Sequence, residues 1–437
     1  MRSLRMLMAL MLGAASGTAA AGDDDLAFIE AHYRNQAQLQ AIASRFQHVM
    51  IDRATGTIRT EAAPDDIAAL RRAGIEVHID AASTRRMHLA ETALRDAARA
   101  ANADSIAAQG QAGTQSISGY TCYRTVEETY ATMNSLAAAR PNLARVIDIG
   151  PTWLRSRDAN AGYRMRVLRL NNSATDASLS NKPNMVVFAS IHAREYTPAE
   201  TLTRFGEWLV NNYGSDDEAT WLLDNFRFHL VLQANPDGRK KAEAGLSWRK
   251  NVDTSNGVCS TNAYGVDLNR NFPYRWHTAS GGSSSNACLG NYRGPSASSE
   301  PETANLLRYV AGAPDSNGTY VGGVLPDRRA NTDTSAAPSD YRGMFIDLHS
   351  FARMVLWPWS YTSAPTANAT PLQTLGRRMA WFNGYSPQQW TGMTIADGTT
   401  TDTLYGLLGA PSYTIEMGYA FFEDCGQFTQ DTLPHNL

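Results

Sequence analysis

The sequence predicts an α/β protein: a mixed, largely parallel central sheet with helices on both faces, preceded by a small α+β segment. Three observations predict it. From Val146 onward, apolar runs of about five residues recur and are near-continuous rather than alternating, as strands covered on both faces require. Stretches with helical spacing separate these runs, the arrangement that builds parallel sheets. Before Tyr120 the pattern is shorter and self-contained, and a core-poor stretch divides it from the rest.

The elements follow in chain order. The opening MRSLRMLMALMLGAASGTAAAGDDD has Arg2 and Arg5, an apolar run, then Ala19, Ala20 and Ala21 before an acidic start. This predicts a signal peptide over 1–21 and an exported protein, secreted or periplasmic. No later stretch approaches the ~18 apolar residues of a membrane span, so no membrane anchor is expected in the mature chain. Residues 22–89 are expected to form a compact α+β module: HVMID at His48 to Asp52, a turn at Gly56, a helix opened near Pro64, and alternating Ile75, Val77 and Ile79. From Ala81 to Gly119 the chain turns Ala-, Gln-, Ser- and Gly-rich, and residues 90–119 read as a linker. The basic pairs Arg71-Arg72 and Arg85-Arg86 offer sites for an activating protease. A solvated helix over Glu91 to Ala103 is the competing reading there.

Residues 120–437 form the main predicted domain. Thr125 and Glu128 make a capping box for its first helix. Strands are predicted at VIDIG (Val146 to Gly150), RVLRL (Arg166 to Leu170), MVVFA (Met185 to Ala189), FHLVLQ (Phe228 to Gln233), MFIDL (Met344 to Leu348) and SYTIE (Ser412 to Glu416). In such sheets ligands bind outside the carboxyl ends of the strands, so the residues just past those ends matter most.

Thirty-nine Lys and Arg against 42 Asp and Glu give a net charge of -3, which offers no electrostatic case for nucleic acid. The four cysteines, Cys122, Cys259, Cys288 and Cys425, make two disulfides plausible in an oxidising compartment, with three pairings open. No C-x-x-C pair occurs, which disfavours a cysteine-bound zinc cluster.

Three strand ends carry metal-ligating chemistry. MVVFA runs into SIHAREYTPAE, with His192 and Glu195 just beyond the strand; His349 follows MFIDL; Glu416 closes SYTIE. Thr197, Pro198 and Glu200 read as the N-cap, first-turn proline and N3 carboxylate of the following helix. Glu200 therefore has a structural task, and Glu195 has none. Two imidazoles and one carboxylate are a typical zinc set that leaves a fourth position for water.

Several ordered motifs now carry a resemblance. They are HARE at His192 to Glu195, NPDG at Asn235 to Gly238, WRKN at Trp248 to Asn251, VDLNRNF at Val266 to Phe272, LHSF at Leu348 to Phe351, and D-x-x-Y at Asp402 to Tyr405 leading to YTIE at Tyr413 to Glu416. From about Tyr120 to Gly418 the chain resembles the zinc metallocarboxypeptidases related to pancreatic carboxypeptidases A and B. The resemblance implies one zinc ion per chain held by His192, Glu195 and His349, with Glu416 as the general base and Arg249 as the oxyanion donor. It implies peptide or protein C termini as substrate, with Asn269 and Arg270 gripping the terminal carboxylate and Arg194 serving the upstream residues. Thr401 would face the terminal side chain, so neutral C-terminal residues are expected, and Asp397, five positions before Asp402, is the one nearby acidic group that would admit basic ones. Asp267 would orient His192. Cys259 and Cys288 fall where family members carry a disulfide, leaving Cys122 and Cys425 as the other pair. Residues 22–89 resemble, by position and size only, the activation segments that cap the cleft in family zymogens.

The chain departs from the pattern twice. Thr394 stands eight positions before Asp402, where the family places a mobile tyrosine. Only 21 residues follow Glu416 (437 minus 416), so the closing helix of the family is expected to be missing before Leu437. The alternatives are a carboxypeptidase trimming peptidoglycan or glutamyl side chains, and a weakened homologue that binds C termini without cleaving them.

Overall fold

In a computed structural model of the chain, residues 26–43, 46, 49–52, 55–85, 87–89, 92, 116–179, 181–257, 259, 264–329 and 334–437 are described. The predicted signal peptide and most of the predicted linker lie outside these residues. Fourteen strands are described: β1 (Ala27–His32), β2 (Met50–Asp52), β3 (Thr57–Ala62), β4 (Glu76–Ile79), β5 (Ala144–Pro151), β6 (Arg164–Leu170), β7 (Asn184–Ala189), β8 (Arg227–Val231), β9 (Gly312–Pro314), β10 (Tyr320–Gly322), β11 (Gly343–Ser350), β12 (Met354–Trp357), β13 (Ser386–Gln389) and β14 (Ser412–Met417). Among the described residues, no helix is long and apolar enough to cross a membrane.

An eight-stranded sheet runs in the order β13-β12-β14-β11-β7-β8-β6-β5. Its centre, β14-β11-β7-β8, is parallel, while β12–β14, β6–β8 and β5–β6 are antiparallel. The mixed α/β class read from the sequence is the one observed. The central strands are apolar on both sides because helices cover both faces. On one face Val187, Leu202 and Leu209 join one buried cluster; on the other Val186, Phe188, Phe345, Leu404 and Leu408 join a second. β12 and β13 have no counterpart in the sequence reading. Each has four residues, and SPQQ has little strand preference of its own, so its pairing with β12 supplies the order.

Local chemistry explains where the helices start. Thr125 Oγ accepts from the Glu128 amide at 3.2 Å and the Glu128 carboxylate accepts from the Thr125 amide at 2.9 Å, a complete capping box for helix Val126–Ala139. Helix Tyr196–Asn211 corrects the expectation of a Thr197 cap, since its N-cap is Glu195 and that side chain makes no capping bond. The Glu195 carboxylate is turned towards two histidines instead, and the Tyr196 amide donates to Phe421 O at 3.2 Å. Glu200 is structural, as read: it accepts from the Arg124 amide and from the Arg124 and Arg204 guanidinium groups. Helical turns also close the chain, against the expectation of none there. Cys425–Gln427, Phe428–Thr432 and Leu433–Asn436 follow one another, started by Asp424 accepting the Gly426 and Gln427 amides.

At the other end, the antiparallel sheet β2-β3-β1-β4 packs with helices Gln36–Ala43 and Pro64–Arg72. Its buried residues Ile29, Leu39, Ile58 and Leu70 form one cluster with Met354, Leu356, Trp390 and Met393 of the main domain. Two disulfides, Cys122–Cys425 and Cys259–Cys288, are formed, the pairing that the resemblance implied.

One buried carboxylate away from the strand ends makes stability depend on pH. Burial pushes Glu302 up to about 8, against the pull of the Trp153 amide that donates to it. A raised carboxylate holds its proton longer in the folded chain than in the unfolded one. Its favourable contribution is therefore complete below pH ~4.5 and is lost as pH rises through about 8. The melting temperature is expected to fall between pH 5 and 8.5, and Glu302→Gln to make that fall shallower by a few °C, about 1–2 kcal/mol. Parallel melting curves for the two proteins would contradict this.

Candidate active site

Three neighbouring strand ends bring the site together. Parallel pairing sets His349 of β11 opposite Glu416 of β14 and Leu348 opposite Ala189, the last residue of β7. Strands in a sheet lie ~4.8 Å apart, so His349 and Glu416 project side by side. After Ala189 the chain turns sharply at Ser190, whose φ of 59° is a left-handed conformation that few non-glycine residues adopt. That turn brings His192 and Glu195 back beneath the end of β11. Donor atoms of His192, Glu195 and His349, all buried, lie within 4.8 Å of one another. His192 Nδ1 is 2.8 Å from Glu195 Oε1, and His349 Nδ1 is 3.1 Å from both Glu195 Oε2 and His192 Nδ1.

Each imidazole is held from behind by a carboxylate. Asp267 Oδ1 lies 3.1 Å from His192 Nε2, and Asp347 Oδ2 lies 3.1 Å from His349 Nε2. Asp267 also takes Arg249 through Oδ2, at 2.9 Å from Nη2 and 3.1 Å from Nε, so one carboxylate fixes both a histidine and an arginine. Arg249 Nη1 in turn lies 3.1 Å from His192 Nδ1.

The remaining predicted residues surround this cluster. Asn269 and Arg270 are buried on a short turn capped by Asp267. Asn269 accepts the Thr400 amide at 2.9 Å and lies 3.2 Å from His349 Nε2. Arg270 gives Nη1 to Asn269 O at 2.7 Å, and its Nε has no hydrogen-bond partner among the described residues. Thr401 is buried at the start of helix Thr400–Leu408, and its hydroxyl likewise has no such partner. Asp397 is fully engaged elsewhere: Ala279 N donates to Oδ2 at 2.9 Å and Ser283 donates to Oδ1 at 2.5 Å. Asp402 accepts the Ser360 amide and hydroxyl. Arg194 lies outward, 3.0 Å from Ser247 Oγ and 3.8 Å over the Phe421 ring. A cavity of about 650 Å³ opens here, lined by Arg194, Trp248, Arg249, Arg270, Thr394 and Phe421, and by Phe46, Thr60 and Glu61 of the N-terminal segment.

A family model described as zinc carboxypeptidase matches residues 129–430. The chain belongs to the zinc carboxypeptidase family. A zinc carboxypeptidase from Saccharothrix mutabilis subsp. capreolus is 29% identical over 336 residues, 74% of this chain and 68% of that protein. Carboxypeptidase A1 from Rattus norvegicus is 28% identical over 302 residues, 69% of this chain and 60% of its own length. The crystal structure of carboxypeptidase A from Helicoverpa armigera shares the fold, with a TM-score of 0.68, 20% identity and 94% of each chain covered.

The donor set of this zinc carboxypeptidase fits the metal its family is named for. With each Nε2 against a carboxylate, both Nδ1 atoms are left facing Glu195 and, at 3.1 Å, one another, a donor set suited to a zinc ion. Burial lowers His349, but Asp347 and Glu195 prevail and hold it well above the ordinary range. Burial and Arg249 lower His192, against the pull of Glu195 and Asp267. Burial likewise pushes Glu416 up to about 8, with His349 pulling it down and Glu195 pushing it up.

Asp347 is the site residue that sequence reasoning missed. A carboxylate inside an apolar run reads as an interruption of a strand. The available signal was period two: Asp347 and His349 stand two apart on β11 and so share a face.

Proposed function

We propose that the chain is a secreted zinc exopeptidase that removes single amino acids from the C termini of peptides or proteins. The observation that carries this reading is the convergence of His192, Glu195 and His349 beside Glu416, Arg249 and Arg270 at the carboxyl ends of the central strands. When bound by His192, Glu195 and His349, zinc supplies Lewis acidity and brings the pKa of a water towards ~7. Glu416 accepts the proton of the attacking water and delivers it to the leaving amine as the peptide C–N bond breaks. Arg249, oriented by Asp267, offers N–H groups to the oxygen on which negative charge develops. Arg270, with Asn269, receives the substrate's terminal carboxylate, a task suited to a buried guanidinium with an N–H to spare. Arg194 serves the residues upstream of the scissile bond.

Residues 22–89 act as an activation segment over the cleft, tethered by the linker at 90–119. Support comes from Phe28 against Phe351, ring centroids 6.4 Å apart, and from Glu61 at 4.0 Å from Arg194. The two disulfides suit an oxidising, extracytoplasmic compartment.

Terminal residues with neutral side chains are the preferred substrates. Thr401 contributes no charge, and the Asp397 carboxylate is held by the loop at 279–283. The test is kcat/KM for matched peptides ending in Phe, Leu, Lys and Arg. Neutral residues are expected to lead; a preference for Lys or Arg beyond about tenfold, or ~1.4 kcal/mol, would overturn the neutral pocket and point back to Asp397.

A further inference from the structure

Arg239 is fully buried on helix Pro236–Glu243, beneath the turn that carries His192 and Glu195. Its Nη1 donates to Glu195 O at 3.1 Å and to Ala193 O at 3.5 Å, and its guanidinium lies 4.2 Å over the Tyr196 ring. Asn235, at the cap of the same helix, donates to Ile191 O at 3.2 Å. Alternate carbonyls of the ligand turn, at 191, 193 and 195, are thus gripped from one short helix. The opposite side of the turn is tied by the Ala193 amide to Arg249 O at 3.1 Å.

Arg239 is an expensive residue for ordinary packing. Its Nε and Nη2 find no hydrogen-bond partner among the described residues, and the nearest carboxylate oxygen, on Glu243, stands 3.9 Å from Nε. A buried guanidinium so sparsely satisfied is retained at a cost that a methionine or leucine would avoid. What only Arg239 provides is a cationic donor at the carbonyls flanking both ligands. The turn needs such a hold, since it begins at Ser190 in a left-handed conformation that an unrestrained chain would leave.

We propose that Arg239 is a positioning residue for the metal: it touches neither metal nor substrate, and it holds His192 and Glu195 in the spacing that zinc requires. The inference rests on the reading of His192, Glu195 and His349 as the zinc site. Groups that orient ligands from behind typically change metal affinity by about 10- to 100-fold when removed.

The test measures zinc affinity of the full-length protein by competition with a chelator, and the rise in Tm that saturating zinc produces. Arg239→Met is expected to weaken zinc binding by about 10- to 100-fold and to shrink the zinc-induced rise in Tm. Arg239→Lys, which keeps a cation within reach of Glu195 O, should fall between it and the wild type. Wild-type affinity in Arg239→Met overturns the proposal, even if Tm drops equally with and without zinc, because the residue is then only part of the core. If Arg239→Met does not fold, Arg239→Lys decides, and unchanged affinity there overturns it. A wild-type chain that takes up no zinc overturns the zinc reading itself and this inference with it.

Discussion

Glu416→Gln is expected to lower kcat by about 10²- to 10⁴-fold, the range for losing a general acid–base, while zinc content and peptide KM change little. The prediction follows from where Glu416 stands. It is buried beside His349 across the β11–β14 pair, yet it is outside the group of side chains whose donor atoms converge. Glutamine keeps the shape and most of the packing but cannot take a proton from water and return it to an amine. Steady-state kinetics with elemental analysis on the same samples separate the two roles. Near-full turnover would remove Glu416 as the base; loss of zinc along with turnover would make it a ligand.

Cleavage within residues 90–119, followed by separation of the N-terminal segment, is expected to raise kcat/KM at least about 30-fold, or ~2 kcal/mol. Phe46, Thr60 and Glu61 line the same cavity as Arg194, Arg249 and Arg270, so on the proposed reading of the segment as a cap a peptide would compete with it for one space. While tethered, the segment acts at an effective concentration of roughly mM; once cut and diluted to nM enzyme, it departs unless its own affinity is far tighter. Departure uncovers Met354, Leu356, Trp390 and Met393, so the cut enzyme should also bind apolar dyes more strongly. Equal kcat/KM before and after separation would make the segment a folding aid.

The strand ends were legible because parallel strands are apolar on both faces, and a polar residue just past such a run stands out. His192, Glu195, His349 and Glu416 all announce themselves in this way. Glu195 also hid something: its cluster with the histidines took the capping position, so the helix starts before the Thr-x-x-Glu signal that normally marks a beginning. β13 was illegible because its order comes from the neighbour β12 and not from SPQQ. Asp347 was masked by its apolar neighbours Ile346 and Leu348. Arg239 was the least legible of all. In GRKKAE nothing separates it from Lys240 and Lys241, and only the fold decides that the arginine goes inside while Lys240 reaches Glu127 and Glu243. Sequence patterns reveal which groups meet a ligand more readily than which groups hold those in place.

The central claim, a zinc-dependent carboxypeptidase centred on His192, Glu195 and His349, is tested by one measurement. The cut and separated enzyme is analysed for metal and given a peptide with a C-terminal carboxylate and the same peptide amidated. Products are followed by mass spectrometry before chelation, after chelation and after zinc is restored. The account predicts about one zinc per chain, stepwise loss of single C-terminal residues from the acid but not the amide, activity abolished by the chelator, and activity recovered with zinc. Undiminished turnover in metal-free protein, or equal cleavage of the amidated peptide, would contradict it.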